Sequence, residues 1–147
     1  MAKPIYVLNG PNLNLLGERE PEVYGRTTLG QIGEHVAARG KAHGFSTEFR
    51  QTNSEAELIG WLQEARDGAA AVVLNAAGLS HTSVAVLDAV RALGKPLIEV
   101  HLSNPYAREE YRRHSFVSEA ATGVICGLGV DGYLVAIDHL ARLLRDE

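Results

Sequence analysis

Short apolar segments alternate with longer amphipathic segments along the chain, and this alternation constrains the fold more than any other feature. Five of the apolar segments have the length, composition and flanking turn residues of β-strands. They lie at residues 5–8, 45–50, 70–75, 97–102 and 123–127. Because these strands are almost continuously apolar, the pattern predicts a parallel sheet that is buried on both faces.

Helical patterns fill the intervals between the predicted strands. Thr28 is placed to begin the first helix, which is expected to end near residue 40 or 44, and Ser54 has capping-box spacing to Glu57 at the start of the second. Further helices are expected from residue 82 or 83 to 94, from 107 to 114 and from 130 to 145. At 147 residues the chain has the usual length of one compact domain, which is expected to span residues 1–147.

Strict alternation of strands and helices is typical of doubly wound α/β proteins. The predicted fold class is α/β, with a single doubly wound five-stranded parallel sheet of the flavodoxin-like type. In such sheets, ligands bind beyond the carboxyl ends of the strands, near the point where the strand order reverses. The residues that follow the strands are therefore the first candidates for function.

Hydrogen-bonding side chains follow three of the predicted strands. The first strand leads into Asn12, the third ends at Asn75 and leads to His81, and the fourth contains Glu99 and His101. Residues two apart point to the same side of a strand, so the carboxylate of Glu99 and the imidazole of His101 can be neighbours. Such a pair can orient the imidazole and favour its protonated form, which would make it a proton donor, but a purely structural pair has the same spacing.

A long segment, residues 10–26, separates the first strand from the first helix. Connections of this kind usually have about 2–6 residues, and longer ones often act as lids. The segment carries Arg19 and Tyr24 among glycines and a proline. It is therefore predicted to be a mobile flap that brings a phenol and a cation to the site, the alternative being an exposed tyrosine and a solvated arginine.

The composition disfavours several kinds of function. A formal net charge of -4 disfavours nucleic-acid binding, and the absence of a signal peptide or a long apolar stretch predicts a soluble, cytoplasmic protein. Neither glycine-rich nucleotide motif is present, the histidines lack metal-motif spacing and Cys126 is the only cysteine, so no cofactor and no metal are expected. The lysines, at positions 3, 41 and 95, belong to the opposite edge of the sheet, which argues against a Schiff-base mechanism.

Several separated motifs share one family pattern. They are LNGPNLNLLGEREP at residues 8–21, NAAGLSHTS at 75–83, EVHLSN at 99–104, ARE at 107–109, RRHS at 112–115 and GLG at 127–129. Together with Tyr24, these motifs resemble those of the type II dehydroquinases, in the same order and over nearly the whole chain. Several motifs with the correct mutual spacing are far more specific than any one of them.

The resemblance implies a lyase that dehydrates 3-dehydroquinate to 3-dehydroshikimate by anti elimination through an enolate, in the shikimate pathway or in quinate catabolism. It implies that Tyr24 is the base and that Arg19 favours its phenolate, and Arg112 or Arg108 could add to the positive field. His101, paired with Glu99, would be the acid. Asn12 would stabilise the enolate oxygen through a water molecule.

The resemblance also implies the substrate contacts and the assembly. The backbone N–H groups after the fourth strand would hold the substrate carboxylate, and further side chains would hold ring hydroxyls. The implied binding residues are Asn75, His81, Leu102, Ser103 and Arg112. Members of the family form dodecamers, built as tetramers of trimers, in which an acidic residue at the position of Asp88 reaches a neighbour's site.

One motif departs from the family's usual sequence. Residues 76–79 read AAGL, where members usually have Pro-Gly or Pro-Ala after the asparagine and often an aromatic residue before the histidine-containing pair. The change is expected to alter the loop shape and the tightness of substrate binding, and to leave the reaction unchanged.

Two other functions fit parts of the sequence. A non-enzymatic flavodoxin-like regulatory or nucleotide-binding module fits the fold alone, but receiver domains need acidic residues where this chain has asparagines. A serine hydrolase could use Ser80 or Ser103, but neither serine lies in a Gly-x-Ser-x-Gly motif.

Overall fold

Five parallel strands form one sheet. They are β1 (Ile5–Asn9), β2 (Thr47–Gln51), β3 (Ala71–Asn75), β4 (Leu97–His101) and β5 (Gly123–Cys126). In this computed structural model, which describes residues 2–146, the strand order is β2-β1-β3-β4-β5. The order reverses between β1 and β3, so the predicted doubly wound, flavodoxin-like sheet is confirmed.

Helices connect β1 to β2, β2 to β3 and β3 to β4, and a last helix follows β5. They are α1 (Pro21–Tyr24), α2 (Leu29–Ala42), α3 (Glu55–Gly68), α4 (Val84–Arg91) and α5 (Asp131–Arg145). Thr28 and Gln31 form a complete capping box at the start of α2, because each side chain accepts the other's backbone N–H. Ser54 caps α3, and Ser83 rather than Thr82 caps α4. None of these helices is long and apolar enough to cross a bilayer, as far as residues 2–146 are concerned.

The short helix predicted for residues 107–114 is wrong. Two separate 3₁₀ turns, Pro105–Ala107 and Glu110–Arg112, occupy the segment instead. Arg108, between them, has an extended backbone with φ −116° and ψ −163°, which interrupts any continuous run of helical hydrogen bonds. Both turns follow the carboxyl end of β4, where ligands are expected to bind in this type of sheet.

The core consists of two hydrophobic clusters on opposite faces of the sheet. Alternate residues of β1 enter different clusters, because successive side chains of a strand point to opposite faces. Val7 packs in the cluster that contains side chains of α2 and α5, and Leu8 packs in the cluster with side chains of α3 and α4. Burial on both faces explains why the three central strands, β1, β3 and β4, read as almost continuously apolar.

Polar residues end the three central strands. Asn9 and Asn75 are the last residues of β1 and β3 and are register partners in the sheet, and His101 is the last residue of β4. All three are buried. Because the strands are parallel, these side chains meet at one edge, where Asn75 and His101 line a cleft.

Candidate active site

A cleft lies beyond the carboxyl ends of β1, β3 and β4. It contains a cavity of about 150 Å³. Nine of the residues predicted from the sequence line it: Asn12, Arg19, Tyr24, Asn75, His81, His101, Leu102, Ser103 and Arg112. No lysine of the described residues does, in agreement with the prediction that the lysines lie towards the opposite edge.

A buried carboxylate contacts the histidine at the end of β4. Glu99 is completely buried, and its Oε2 atom lies 2.5 Å from Nε2 of His101. The hydroxyl of Ser115 donates to the same oxygen at 2.6 Å, and the hydroxyl of Ser118 donates to Oε1 at 2.5 Å. Nδ1 of His101 has no hydrogen-bond partner within residues 2–146, so this nitrogen is available to a ligand in the cleft.

The environment of Glu99 favours its ionised form. Burial alone would raise the pKa of the Glu99 carboxyl. Hydrogen bonds from His101, Ser115 and Ser118 outweigh burial and hold this pKa below its ordinary value. The carboxylate therefore carries its charge at neutral pH, where it can accept the hydrogen bond from Nε2 of His101 and orient the imidazole.

A tyrosine and two arginines line another part of the cleft. Tyr24 ends the short helix α1 in the long segment after β1. A guanidinium N–H of Arg108 donates to the Tyr24 hydroxyl at 2.8 Å, and the guanidinium carbon of Arg19 lies 5.4 Å from the centre of the phenol ring. Arg19 also forms an exposed ion pair with Glu20 at 3.1 Å, which offsets part of its charge.

Arg108 is the residue whose importance the sequence understated. It was expected only as a possible addition to the field of Arg19, yet it makes the direct hydrogen bond to the phenol and also lies 3.3 Å from the hydroxyl of Ser103. The helix predicted for its segment concealed this role. Its place in the ARE motif of the family pattern was the available signal.

Two segments supply free backbone donors and a second imidazole. The backbone N–H groups of Leu102 and Ser103 have no acceptor within the described residues, and both residues line the cleft. Nδ1 of His81 lies 2.8 Å from the backbone oxygen of His114, and its ring is stacked near that of His101 with 6.1 Å between centroids.

Two predicted residues lie outside the cleft wall. Glu99 lies behind His101 and acts on the cleft only through it. Asp88 is exposed on α4 and does not line the cleft of its own chain. Arg112 does line it, and its Nε donates to Glu109 at 2.5 Å.

The unusual AAGL segment forms a tight turn at the cleft. Ala77 has a φ of 53°, a left-handed conformation that is uncommon for a residue with a Cβ atom. Its backbone N–H donates to Oδ1 of Asn75 at 3.1 Å. Asn75 and His81, on either side of this turn, both line the cleft.

Fold and cleft together define an α/β enzyme of the flavodoxin-like type, with a phenol and an imidazole facing one small-molecule site. The dehydroquinase class II family matches residues 3–141. A 3-dehydroquinate dehydratase of Phenylobacterium zucineum is 57% identical over 99% of this chain and 100% of the relative. The crystal structure of a type II dehydroquinase from Propionibacterium acnes superposes with a TM-score of 0.93 at 48% identity, covering 97% of this chain and 98% of the other.

A further relative, 3-dehydroquinate dehydratase 2 of Pseudomonas aeruginosa, is 52% identical over 97% of this chain and 96% of the relative. These matches extend over almost the full length of both proteins. The chain therefore belongs to the class II dehydroquinase family, as its sequence motifs predicted.

Proposed function

We propose that this protein dehydrates 3-dehydroquinate to 3-dehydroshikimate by anti elimination through an enolate. Family membership supports the reaction, and one observation supports the mechanism: a phenol next to guanidinium groups and a carboxylate-paired imidazole face the same cleft. A non-enzymatic regulatory module is not favoured, because the matched relatives are dehydratases along their full length.

Tyr24 is the proposed base, which removes a proton from the carbon next to the substrate ketone. A phenol is protonated near neutral pH unless positive charge stabilises its phenolate. Arg108, at 2.8 Å from the hydroxyl, and Arg19, over the ring, supply that charge. The proton passes to the phenolate oxygen, and the electron pair left behind forms the enolate.

His101 is the proposed acid, which protonates the hydroxyl as it departs. Its Nε2 is held by Glu99, which leaves Nδ1 as the donor towards the cleft. Hydroxide is a poor leaving group, and general acid catalysis is worth about 10²–10⁴-fold in rate. Collapse of the enolate then forms the carbon–carbon double bond and expels water.

The remaining cleft residues have binding roles in this proposal. Asn12 stabilises the enolate oxygen through a water molecule. The free N–H groups of Leu102 and Ser103 hold the substrate carboxylate, as charge-assisted hydrogen bonds from backbone donors do elsewhere. Ring hydroxyls contact Asn75, His81 and Arg112.

The assembly and the location complete the proposal. We infer a cytoplasmic dodecamer, a tetramer of trimers, in which Asp88 of one chain reaches the cleft of a neighbour. The exposure of Asp88 on α4, away from the cleft of its own chain, is compatible with this role. Sedimentation velocity measures the assembly, and an Asp88→Asn variant with normal turnover would contradict the role of the carboxylate.

The decisive experiment follows the rise of enone absorbance after 3-dehydroquinate is added. Wild-type protein should turn over with EDTA present, and borohydride should trap no substrate adduct that mass spectrometry can detect. Tyr24→Phe and His101→Ala should each lose most turnover while keeping the wild-type circular dichroism spectrum. Near-normal turnover of either variant would exclude that residue from its proposed role.

A further inference from the structure

A buried chain of hydrogen bonds links the ends of β1 and β3 below the cleft. Tyr133 of α5 is completely buried, and its hydroxyl donates to Oδ1 of Asn9 at 2.7 Å. The same hydroxyl accepts a hydrogen bond from Nδ2 of Asn75 at 3.0 Å. A helix on one face of the sheet thus reaches the strand ends where the cleft begins.

Two backbone groups determine which atoms donate and which accept in this series of hydrogen bonds. At one end, Nδ2 of Asn9 donates to the carbonyl of Arg50 at 3.0 Å, and a carbonyl can only accept. At the other end, Oδ1 of Asn75 accepts from the N–H of Ala77 at 3.1 Å, and an N–H can only donate. Flipping either amide would bring two donors or two acceptors together, so only one orientation satisfies every group.

This orientation determines what Asn75 offers to a ligand. One Nδ2 hydrogen is used by Tyr133, and the second has no partner within residues 2–146. Since Asn75 lines the cleft, that second hydrogen is available to an oxygen of a bound molecule. Burial raises the pKa of the Tyr133 phenol, so this residue remains a protonated, uncharged link in the chain.

We propose that Tyr133 is a positioning residue, which orients the Asn75 amide so that it presents an N–H donor to a hydroxyl or carboxylate oxygen of the substrate. This inference rests on the proposed function and deepens it. The matching ligand group is an oxygen acceptor on a hydroxylated ring. An analogue without that oxygen would not accept the hydrogen bond from the Asn75 amide, so its binding should not depend on Tyr133.

The test compares two tyrosines that lose the same atom. Tyr133→Phe removes the hydroxyl that links Asn9 and Asn75 and keeps the aromatic ring. Tyr6→Phe is the matched control, because Tyr6 is also buried and its hydroxyl donates to Glu64 at 2.6 Å on the other face of the sheet. For Tyr133→Phe, KM for 3-dehydroquinate should rise about 5- to 30-fold with kcat within about threefold, the range for one misplaced hydrogen bond. Tyr6→Phe should change both constants less than about twofold.

A double-mutant cycle separates positioning from general destabilisation. If Tyr133 acts through Asn75, Tyr133→Phe should add nothing to the KM of Asn75→Ala. All constants are measured well below the melting temperature of each variant. Additive effects on KM, or a KM for Tyr133→Phe equal to that of Tyr6→Phe, would overturn the proposal.

A second variant tests the amide direction without changing Tyr133. Asn75→Asp replaces the donor by an oxygen, so its KM should exceed that of Asn75→Ala, and an equal or lower KM would overturn the proposal even if Tyr133→Phe does not fold. Turnover of the wild-type protein distinguishes failure of the proposed reaction from failure of the role proposed for Tyr133. If the wild-type protein does not turn over 3-dehydroquinate, the proposed function and the role of Tyr133 are both refuted. If the wild-type protein turns over normally and Tyr133→Phe leaves KM unchanged, only the role of Tyr133 is refuted.

Discussion

Removing the Ser118 hydroxyl should leave one side of the buried Glu99 carboxylate without a donor. Oε2 of Glu99 contacts both His101 and Ser115, whereas Ser118 is the only partner of Oε1 within the described residues. A buried acceptor that loses its partner costs about 1–3 kcal/mol, and more if it is charged. We therefore expect Ser118→Ala to lower the free energy of unfolding by about 2 kcal/mol at neutral pH.

The loss should depend on pH in a defined direction. Because hydrogen bonds hold the pKa of Glu99 below its ordinary value, Glu99 stabilises the fold above the unfolded carboxyl pKa of about 4.3. This contribution disappears as the pH falls through the lower pKa of the folded state. Ser118→Ala moves the folded pKa upwards, so the difference between wild type and variant should shrink below about pH 4.

Urea unfolding followed by circular dichroism, at one protein concentration, measures the free energy of unfolding at neutral pH and below about pH 4. Ser54→Ala is the matched control, since its hydroxyl caps α3 at an exposed position by accepting the Glu57 N–H at 3.1 Å. Loss of that cap should cost about 1 kcal/mol at both pH values. If Ser118→Ala destabilises the protein equally at both pH values, or not at all, the assigned role of the hydroxyl is wrong.

Three further changes test other parts of the site. Arg108→Met removes a charge 2.8 Å from the Tyr24 hydroxyl. That charge is worth about 1.5–6 kcal/mol to the phenolate for an effective dielectric of about 80 to 20, so kcat at neutral pH should fall at least about tenfold, and a kcat close to that of wild type would contradict the role of Arg108. Glu99→Gln keeps the packing but removes the negative charge next to Nε2 of His101, so kcat should fall, though by less than in His101→Ala, and an unchanged kcat would contradict the pairing. Gly10→Ala would place a Cβ atom 2.5 Å from the backbone oxygen of Ala76, so its melting temperature should fall clearly, and an unchanged value would show that the backbone there adapts.

The sequence predicted the sheet because its signals are local and consistent. Apolar strands, the capping residues Thr28 and Ser54, and regular alternation all favour the same fold. Parallel strands bring their carboxyl ends to one edge, so the strand that a residue follows already indicates which residues meet. The proximity of Glu99 and His101 followed from the two-residue period of a strand, without any knowledge of tertiary structure.

Other features depend on contacts between distant segments, which a local pattern does not encode. Tyr133 reads as one apolar position of an amphipathic helix, and only the packing of α5 brings its hydroxyl to two asparagines. Ser118 lies 19 positions from Glu99 in the chain. The turn at Ala77 was concealed for a different reason, because a left-handed residue is normally signalled by glycine or asparagine.

The two halves of the proposed acid–base pair are held by different kinds of structure. His101 ends a central strand next to a buried carboxylate, which suits an acid that must meet the leaving hydroxyl in a fixed direction. Tyr24 lies on the long segment after β1, and its hydrogen bond to Arg108 ties that segment to the turns after β4. Opening the segment would break this bond and carry Tyr24 away from the cleft, so we expect a ligand that fills the cleft to hold the segment in place. Limited proteolysis within residues 10–26, with and without a ligand in the cleft, would test this: an equal cleavage rate in both cases would refute it.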